Sequence, residues 1–132
     1  MHIRYTHEEK ITSVQLAAVF ESSGIRRPTS DLPRIQRMID AADLLVTAWD
    51  GDTLVGVARA LTDFSYCCYL SDLAVARDYQ HQGIGKELVS QVHELIGSQS
   101  MLLLLAAPEA QAYYPKIGME AVHNGWIINR RG

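Results

Sequence analysis

Gln80-His81-Gln82-Gly83-Ile84-Gly85-Lys86 has the composition of an anion-binding loop. It separates a run rich in aromatic and β-favouring residues, 66–75, from one in which Leu88, Val89, Val92, Leu95 and Ile96 recur at helical spacing. The first turn of a helix carries N–H groups with no preceding carbonyls to receive them. Aimed at one point and reinforced by the helix dipole, they hold an anion without a basic side chain. Gly83 and Gly85 let the backbone come close to a phosphate, and Lys86 can add a point charge.

Two common phosphate loops do not fit. A dinucleotide fingerprint needs a glycine where Leu88 stands. A Walker loop needs a glycine at Gln80 and a hydroxyl residue at Glu87. What remains is Gln-x-x-Gly-x-Gly, which resembles the acetyl-CoA signature of the GNAT superfamily of N-acetyltransferases. The context Asp72-Leu73-Ala74-Val75-Ala76-Arg77-Asp78-Tyr79 before it looks like the family's strand-loop-helix core, with Ala76 where many members carry proline. A second stretch, Ala112-Tyr113-Tyr114-Pro115-Lys116-Ile117-Gly118-Met119, is similar to the family's Phe-Tyr-x-Lys-x-Gly-Phe segment, with Tyr113 and Met119 replacing its phenylalanines. The resemblance covers roughly residues 44–130.

The elements that must position these motifs follow from pattern. A short strand is expected at 3–6. Thr12 to Gln15 has capping-box spacing and opens a helix to about 23, stopped by Gly24. A second helix, capped by Ser30 or Asp31 with Pro33 in its first turn, runs to about 42. Strands follow at 44–49, 53–62 and 66–75, with turns at 50–52 and 63–65. The third helix spans 85–96. The apolar run 101–106 reads as a strand covered on both faces. A fourth helix reaches Lys116, and Asn124-Gly125 signals a final hairpin between strands at 119–122 and 126–130. The expected fold is one α+β domain, residues 1–132, ordered β-α-α-β-β-β-α-β-α-β-β. Its mixed sheet is antiparallel through four strands. The helix between strands four and five makes that pair parallel.

In the resembling family the parallel pair splays apart and the pantetheine arm of acetyl-CoA enters the gap. Splayed strands leave main-chain groups without ladder partners, which pantetheine amides can satisfy like an added strand. The resemblance therefore implies a cofactor site at Leu73, Ala74 and Val75, with the pyrophosphate on Gln80, His81, Gln82, Gly83, Ile84 and Gly85, beside Lys86.

Transfer to an amine requires loss of the ammonium proton, at a pKa of about 10.4 for a lysine-like amine. It also requires a donor for the oxyanion and a proton for the leaving thiolate. By the resemblance, Tyr114 gives that proton, while Tyr113 packs; the main-chain amide of Leu73 is a natural oxyanion donor. Asp72 has two readings. As a carboxylate beside apolar Leu70 and Ala74 it could act as general base. Alternatively it pairs with Arg59, which sits oddly among Val55, Val57 and Leu61, and the two frame the acceptor pocket. Tyr66 near the hairpin tip is a further candidate acceptor contact. Arg26, Arg27, Arg34 and Arg37 form a basic cluster that is either a solvated helix face or a contact for an acidic substrate group. Trp126 is either a core aromatic or part of a dimer contact.

The implied activity is acetyl-CoA-dependent N-acetylation of a primary amine, on a small molecule or a peptide, by direct attack in a ternary complex. The alternative is a non-catalytic acyl-CoA-binding sensor or assembly module of the same fold. A net charge of −3 argues against nucleic acid as partner. No run is long and apolar enough to span a bilayer, and the N-terminus lacks a signal peptide's apolar core. Cys67 and Cys68 are adjacent and poorly placed to bridge, and no metal-ligand spacing occurs. The expectations are a cytoplasmic protein without metal, forming a homodimer as related proteins commonly do.

Overall fold

The computed structural model describes residues 2–132. Among the described residues, five strands form one sheet in chain order: β1 (Arg4–Thr6), β2 (Leu44–Asp50), β3 (Thr53–Thr62), β4 (Cys67–Val75) and β5 (Met101–Leu103). The first four pair antiparallel and β5 joins β4 in parallel, as expected of this mixed sheet.

The helices begin where their caps lie. In α1 (Ser13–Ser23) the Thr12 hydroxyl accepts the Gln15 N–H at 3.1 Å, and the Gln15 side chain accepts the Thr12 N–H at 2.9 Å. Both are donors the first turn leaves orphaned. Gly24 ends the helix at φ 86°. The α2 helix (Leu32–Ala41) is capped by the Asp31 carboxylate on the Arg34 N–H. Helix α3 (Ile84–Ile96) buries Ile84, Leu88, Val92 and Ile96, one side chain per turn, against one face of the sheet. Helices α1 and α2 cover the other face through Leu16, Val19, Phe20 and Ile35.

Two bulges decide which side chains reach which face. One separates Ala48 from Trp49 in the β2–β3 pairing, with Val55 as the extra residue. The other separates Arg59 from Ala60 in the β3–β4 pairing, with Ser71 as the extra residue. A bulge reverses the facing of everything beyond it. Leu70 thus packs with α3, while Ala74 packs with α1 and α2. The sequence expectation of one face for Leu70, Asp72 and Ala74 fails at Ser71. Likewise Val55 faces α3, opposite to Val57.

The C-terminal third departs most from expectation. β5 is three residues long instead of six, and Met101 and Leu105 are exposed rather than covered. The expected fourth helix is a 3₁₀ turn, Pro108–Ala110, followed by one α-helical turn, α4 (Tyr113–Lys116), which contains Pro115. Residues 119–132 contain no strand, so the expected final hairpin is absent. Trp126 and Ile128 are 97% and 96% exposed, which removes the core reading of Trp126. An isolated two-stranded ribbon is marginal in water, and Asn124-Gly125 has no third strand beside it.

Candidate active site

The loop before α3 holds its backbone in an unusual curl. His81 lies at φ 64° and Gly83 at φ 86°, both left-handed. Alternation of this kind turns successive N–H groups toward one point. Among the described residues, the N–H groups from His81 to Lys86 donate to no protein acceptor; the first helical bond is Glu87 N–H to Gly83 O at 3.0 Å. The loop's shape is fixed from below by Gln80, whose amide donates to the Val75 carbonyl at 2.9 Å and to the Ser23 carbonyl at 3.3 Å. Gln80 therefore ties the end of β4 to the end of α1 and positions the free amides above them. The His81 ring and the Lys86 side chain are exposed.

β4 and β5 pair only from Cys67↔Met101 to Tyr69↔Leu103 and then separate. The gap is a cleft of about 180 Å³ lined by Leu70, Ser71, Leu73, Val75, Leu104 and Tyr114, among others. Ala76 N–H donates to Val55 O at 2.8 Å, so even-numbered residues here turn their main chain toward β3. By alternation, Ser71, Leu73 and Val75 turn theirs into the cleft. Side chains already occupy two of these carbonyls: Arg27 donates to Ser71 O at 2.9 Å and Gln80 to Val75 O. The main chain of Leu73 lies between them, at the wall of the gap.

Tyr114 is half-buried and opens on this cleft. Burial raises its hydroxyl pKa above the ordinary value, and neighbouring Tyr113 adds to the effect, so the phenol keeps its proton well past neutrality. The two rings meet edge to face with centroids 5.2 Å apart. Tyr113 does more than pack. Its hydroxyl lies 2.8 Å from where a Cβ on Gly85 would stand, so the ring reaches the phosphate-type loop. Sequence reasoning missed this contact. The signal was the pair of adjacent tyrosines, which in one helical turn project toward different neighbours.

On the α1–α2 side of β4, Asp72 is fully buried. One carboxylate oxygen accepts from Arg27 Nε and the other from Arg59 Nε. Arg59 also donates to the Ser71 hydroxyl at 3.1 Å, and Arg27 to the Arg26 carbonyl at 2.6 Å. Arg59↔Asp72 is a cross-strand pair; Arg27 reaches it from the loop after α1, which no local pattern announces. Beside this triad lies a second cavity of about 350 Å³, lined by Arg26, Arg27, Arg34, Arg59, Arg130 and Asp72, among others. Ser71 lines both cavities, so they adjoin. Arg37 is exposed outside this lining. Tyr66 is exposed at the far end of β4 and reaches neither cavity.

Among the described residues no three His, Cys, Asp or Glu side chains come together as a metal-binding group. No helix among them is long and apolar enough to cross a membrane.

Known proteins carry the same architecture. A GNAT-family acetyltransferase from Streptococcus pneumoniae TIGR4 superposes with a TM-score of 0.76 at 21% identity, covering 99% of this chain and 100% of that one. The aminoglycoside N-acetyltransferase AAC(6')-Iy, solved in complex with CoA, gives 0.75 at 16% identity, covering 99% and 96%. At such identities the likeness is one of fold. By sequence, an uncharacterized N-acetyltransferase ycf52-like protein of Prochlorococcus marinus is 28% identical over 90% of this chain, and a ycf52 protein of Gracilaria tenuistipitata is 29% identical over 71%. The chain spans 64% and 53% of the lengths of those two relatives. The model of the acetyltransferase (GNAT) family matches residues 12–119, which include both adjoining cavities' main walls, the loop before α3 and Tyr114. With a match over that much of its length, this chain belongs to the acetyltransferase (GNAT) family.

Proposed function

We propose that this protein transfers the acetyl group of acetyl-CoA to a primary amine by direct attack in a ternary complex. One observation carries the reading: a splayed β4–β5 gap leads from a curl of free amides, at one end, to a protonated tyrosine and the Leu73 main chain. The pyrophosphate sits on the N–H groups from His81 to Gly85. Pantetheine follows the edge of β4 at Leu73, Ala74 and Val75. The amine attacks the thioester carbonyl, its oxyanion receives the Leu73 N–H, and the carbonyl reforms as the C–S bond breaks. Tyr114 gives its proton to the departing thiolate; its raised pKa keeps that proton available.

Asp72 serves this scheme as an anchor. Each of its oxygens is engaged by an arginine, which fixes Arg27 and Arg59 beside the acceptor. The proton leaving the amine passes to solvent. Proteins of like fold include AAC(6')-Iy, solved with a CoA–acetylneamine bisubstrate analogue, which supports an amine on a small molecule as acceptor.

The test has two arms. Gly85→Glu places a carboxylate against the loop and the Tyr113 hydroxyl; calorimetric binding of acetyl-CoA should be lost. Tyr114→Phe should keep that binding and lose transfer by roughly 10²-fold or more. Tight acetyl-CoA binding by Gly85→Glu would overturn the loop assignment, and an unchanged rate in Tyr114→Phe the acid assignment. Binding without CoA release across an amine panel would mark a sensor module.

A homodimer completes the proposal. Val122, Trp126, Ile127 and Ile128 are all exposed on an extended tail, and β5 is the last strand of the sheet, with Met101 exposed beside its free edge. A second copy of this chain offers both an exposed apolar tail and a free strand edge to pair. Light scattering should give twice the chain mass, and Trp126→Asp with Ile128→Asp should halve it; a monomer in the unmodified protein at tens of micromolar would refute the pairing.

A further inference from the structure

The cavity beside Asp72 concentrates positive charge in a chain whose net charge is −3. Five arginines and one carboxylate line it. Two of the five are consumed by the protein. Arg27 gives its donors to Asp72, Ser71 O and Arg26 O; Arg59 gives its donors to Asp72, the Ser71 hydroxyl and, at 3.4 Å, Met38 O. Among the described residues Arg26, Arg34 and Arg130 make no side-chain hydrogen bond or ion pair to the protein. They come from three separate parts of the chain: the loop after α1, helix α2 and the tail. One short basic stretch would be an ordinary solvated face. Convergence from three places on one concavity is not explained that way, because like charges repel and the arrangement needs a counter-anion.

We propose that the acetyl acceptor carries, besides its amine, an anionic group, a carboxylate or a phosphate, which Arg26, Arg34 and Arg130 hold. This rests on the acetyl-transfer reading above. Ser71 joins the arginine cavity to the cleft that bears Leu73. Residues two apart on a strand are separated by roughly 7 Å. The anion therefore sits a short spacer away from the amine that attacks. Arg27 and Arg59, clamped by Asp72, set the near wall, and the planar guanidiniums suit a carboxylate or phosphate in two-pronged contact. A polycationic acceptor would meet repulsion in the same place.

Four acceptors differing in charge separate the outcomes: O-phosphoethanolamine, β-alanine, n-propylamine and spermidine. The two amines that carry an anionic group should show kcat/KM at least tenfold above the two that carry none. Arg26→Gln with Arg34→Gln should remove that preference and leave the KM for acetyl-CoA unchanged; Arg34→Lys should retain part of it. The two anionic compounds then tell phosphate from carboxylate. Equal or better turnover of spermidine or propylamine overturns the inference and leaves acetyl transfer standing. If none of the four is acetylated, calorimetry with inorganic phosphate decides: saturable binding to acetyl-CoA-loaded protein, lost in the double glutamine variant, supports the pocket, and no binding overturns it. Should acetyl-CoA itself fail to bind, the transfer reading falls, and the same phosphate titration on the unloaded protein, compared with the double glutamine variant, still judges the pocket.

Discussion

Thr53–Thr62 and residues 119–130 are both rich in strand-forming side chains and both lie next to a glycine turn, yet only the first is in a sheet. Val46, Val55 and Val57 are fully buried around β3, while Trp126 and Ile128 face solvent. The difference is in partners. β3 has β2 on one side, β4 on the other, and helices over both faces. The tail has none of these within its own chain. Strand propensity is a statement about fit to a pleated, half-buried surface, and it produces a strand only where that surface exists. The site lies where these regions meet: the ordered β4 supplies one wall of the cleft, and the loosely packed stretch after Leu103 supplies the other.

Equivalent truncations should therefore give opposite results. Phe20→Ala, in the centre of the α1–α2 core, is expected to cost about 3–5 kcal/mol in chemical denaturation. Ile128→Ala should stay within about 0.5 kcal/mol at protein concentrations where the chain is monomeric. If the tail pairs with a second copy, the Ile128→Ala penalty must grow with protein concentration, since association stabilises by mass action. Equal large losses at high dilution would mean the tail packs on its own chain, and the contrast would vanish.

A polar change at the same centre tests whether the buried triad behaves as core. Asp72→Ala leaves Arg59, almost buried, and Arg27, about a quarter exposed, without their shared counter-charge. Stripping one partner from a buried ion pair costs about 3–5 kcal/mol. Asp72→Ala with Arg59→Met removes both ends of the cross-strand pair and should recover part of that loss. If the single variant melts like the unmodified protein, the triad is a surface ornament and the arginine cavity loses its rigid wall.

Periodicity and caps exposed most of this fold in advance. Thr12, Gln15, Gly24 and Pro33 marked two helices within a residue or so, because capping is a local chemistry written in adjacent residues. The parallel β4–β5 pair followed from the helix between them. The loop from Gln80 to Gly85 and the Tyr113-Tyr114 pair were legible as motifs for the same reason. What escaped was set by distant partners. Ser71 is an unremarkable residue within an alternating run, and nothing local says that it bulges; yet the bulge puts Asp72 on the arginine side of the sheet. Arg27 lies 45 positions from Asp72, and Arg130 reaches the cavity from a segment whose expected strands do not form. Propensity overstated the tail because it counted residue preference and not available neighbours.

The smallest effect concerns why one turn holds its hairpin and the other does not. Between β3 and β4, the Asp63 carboxylate accepts the N–H groups of Ser65, Tyr66 and Cys67 at 2.9, 2.8 and 3.1 Å. These bonds let Phe64 stand at φ 57°, a conformation a bulky residue seldom adopts. They hold the Asp63 carboxyl at about 2, below its ordinary 3.8. The folded state thus prefers the ionised form. Between those two values the unfolded chain binds more proton than the folded one, so stability rises with pH there. The contribution is complete above the unfolded value and is lost as pH falls from 3.8 toward 2. Asp63→Asn keeps the shape and one oxygen acceptor but never ionises. The stability gap between the unmodified protein and Asp63→Asn should be flat above about pH 5 and close as acid is added. A gap that stays constant down to pH 2 would mean that the charge is irrelevant and that strand pairing alone holds this hairpin. In that case the absent cap at Asn124-Gly125 could not explain why the tail stays open, and the missing third strand would remain as the sole cause.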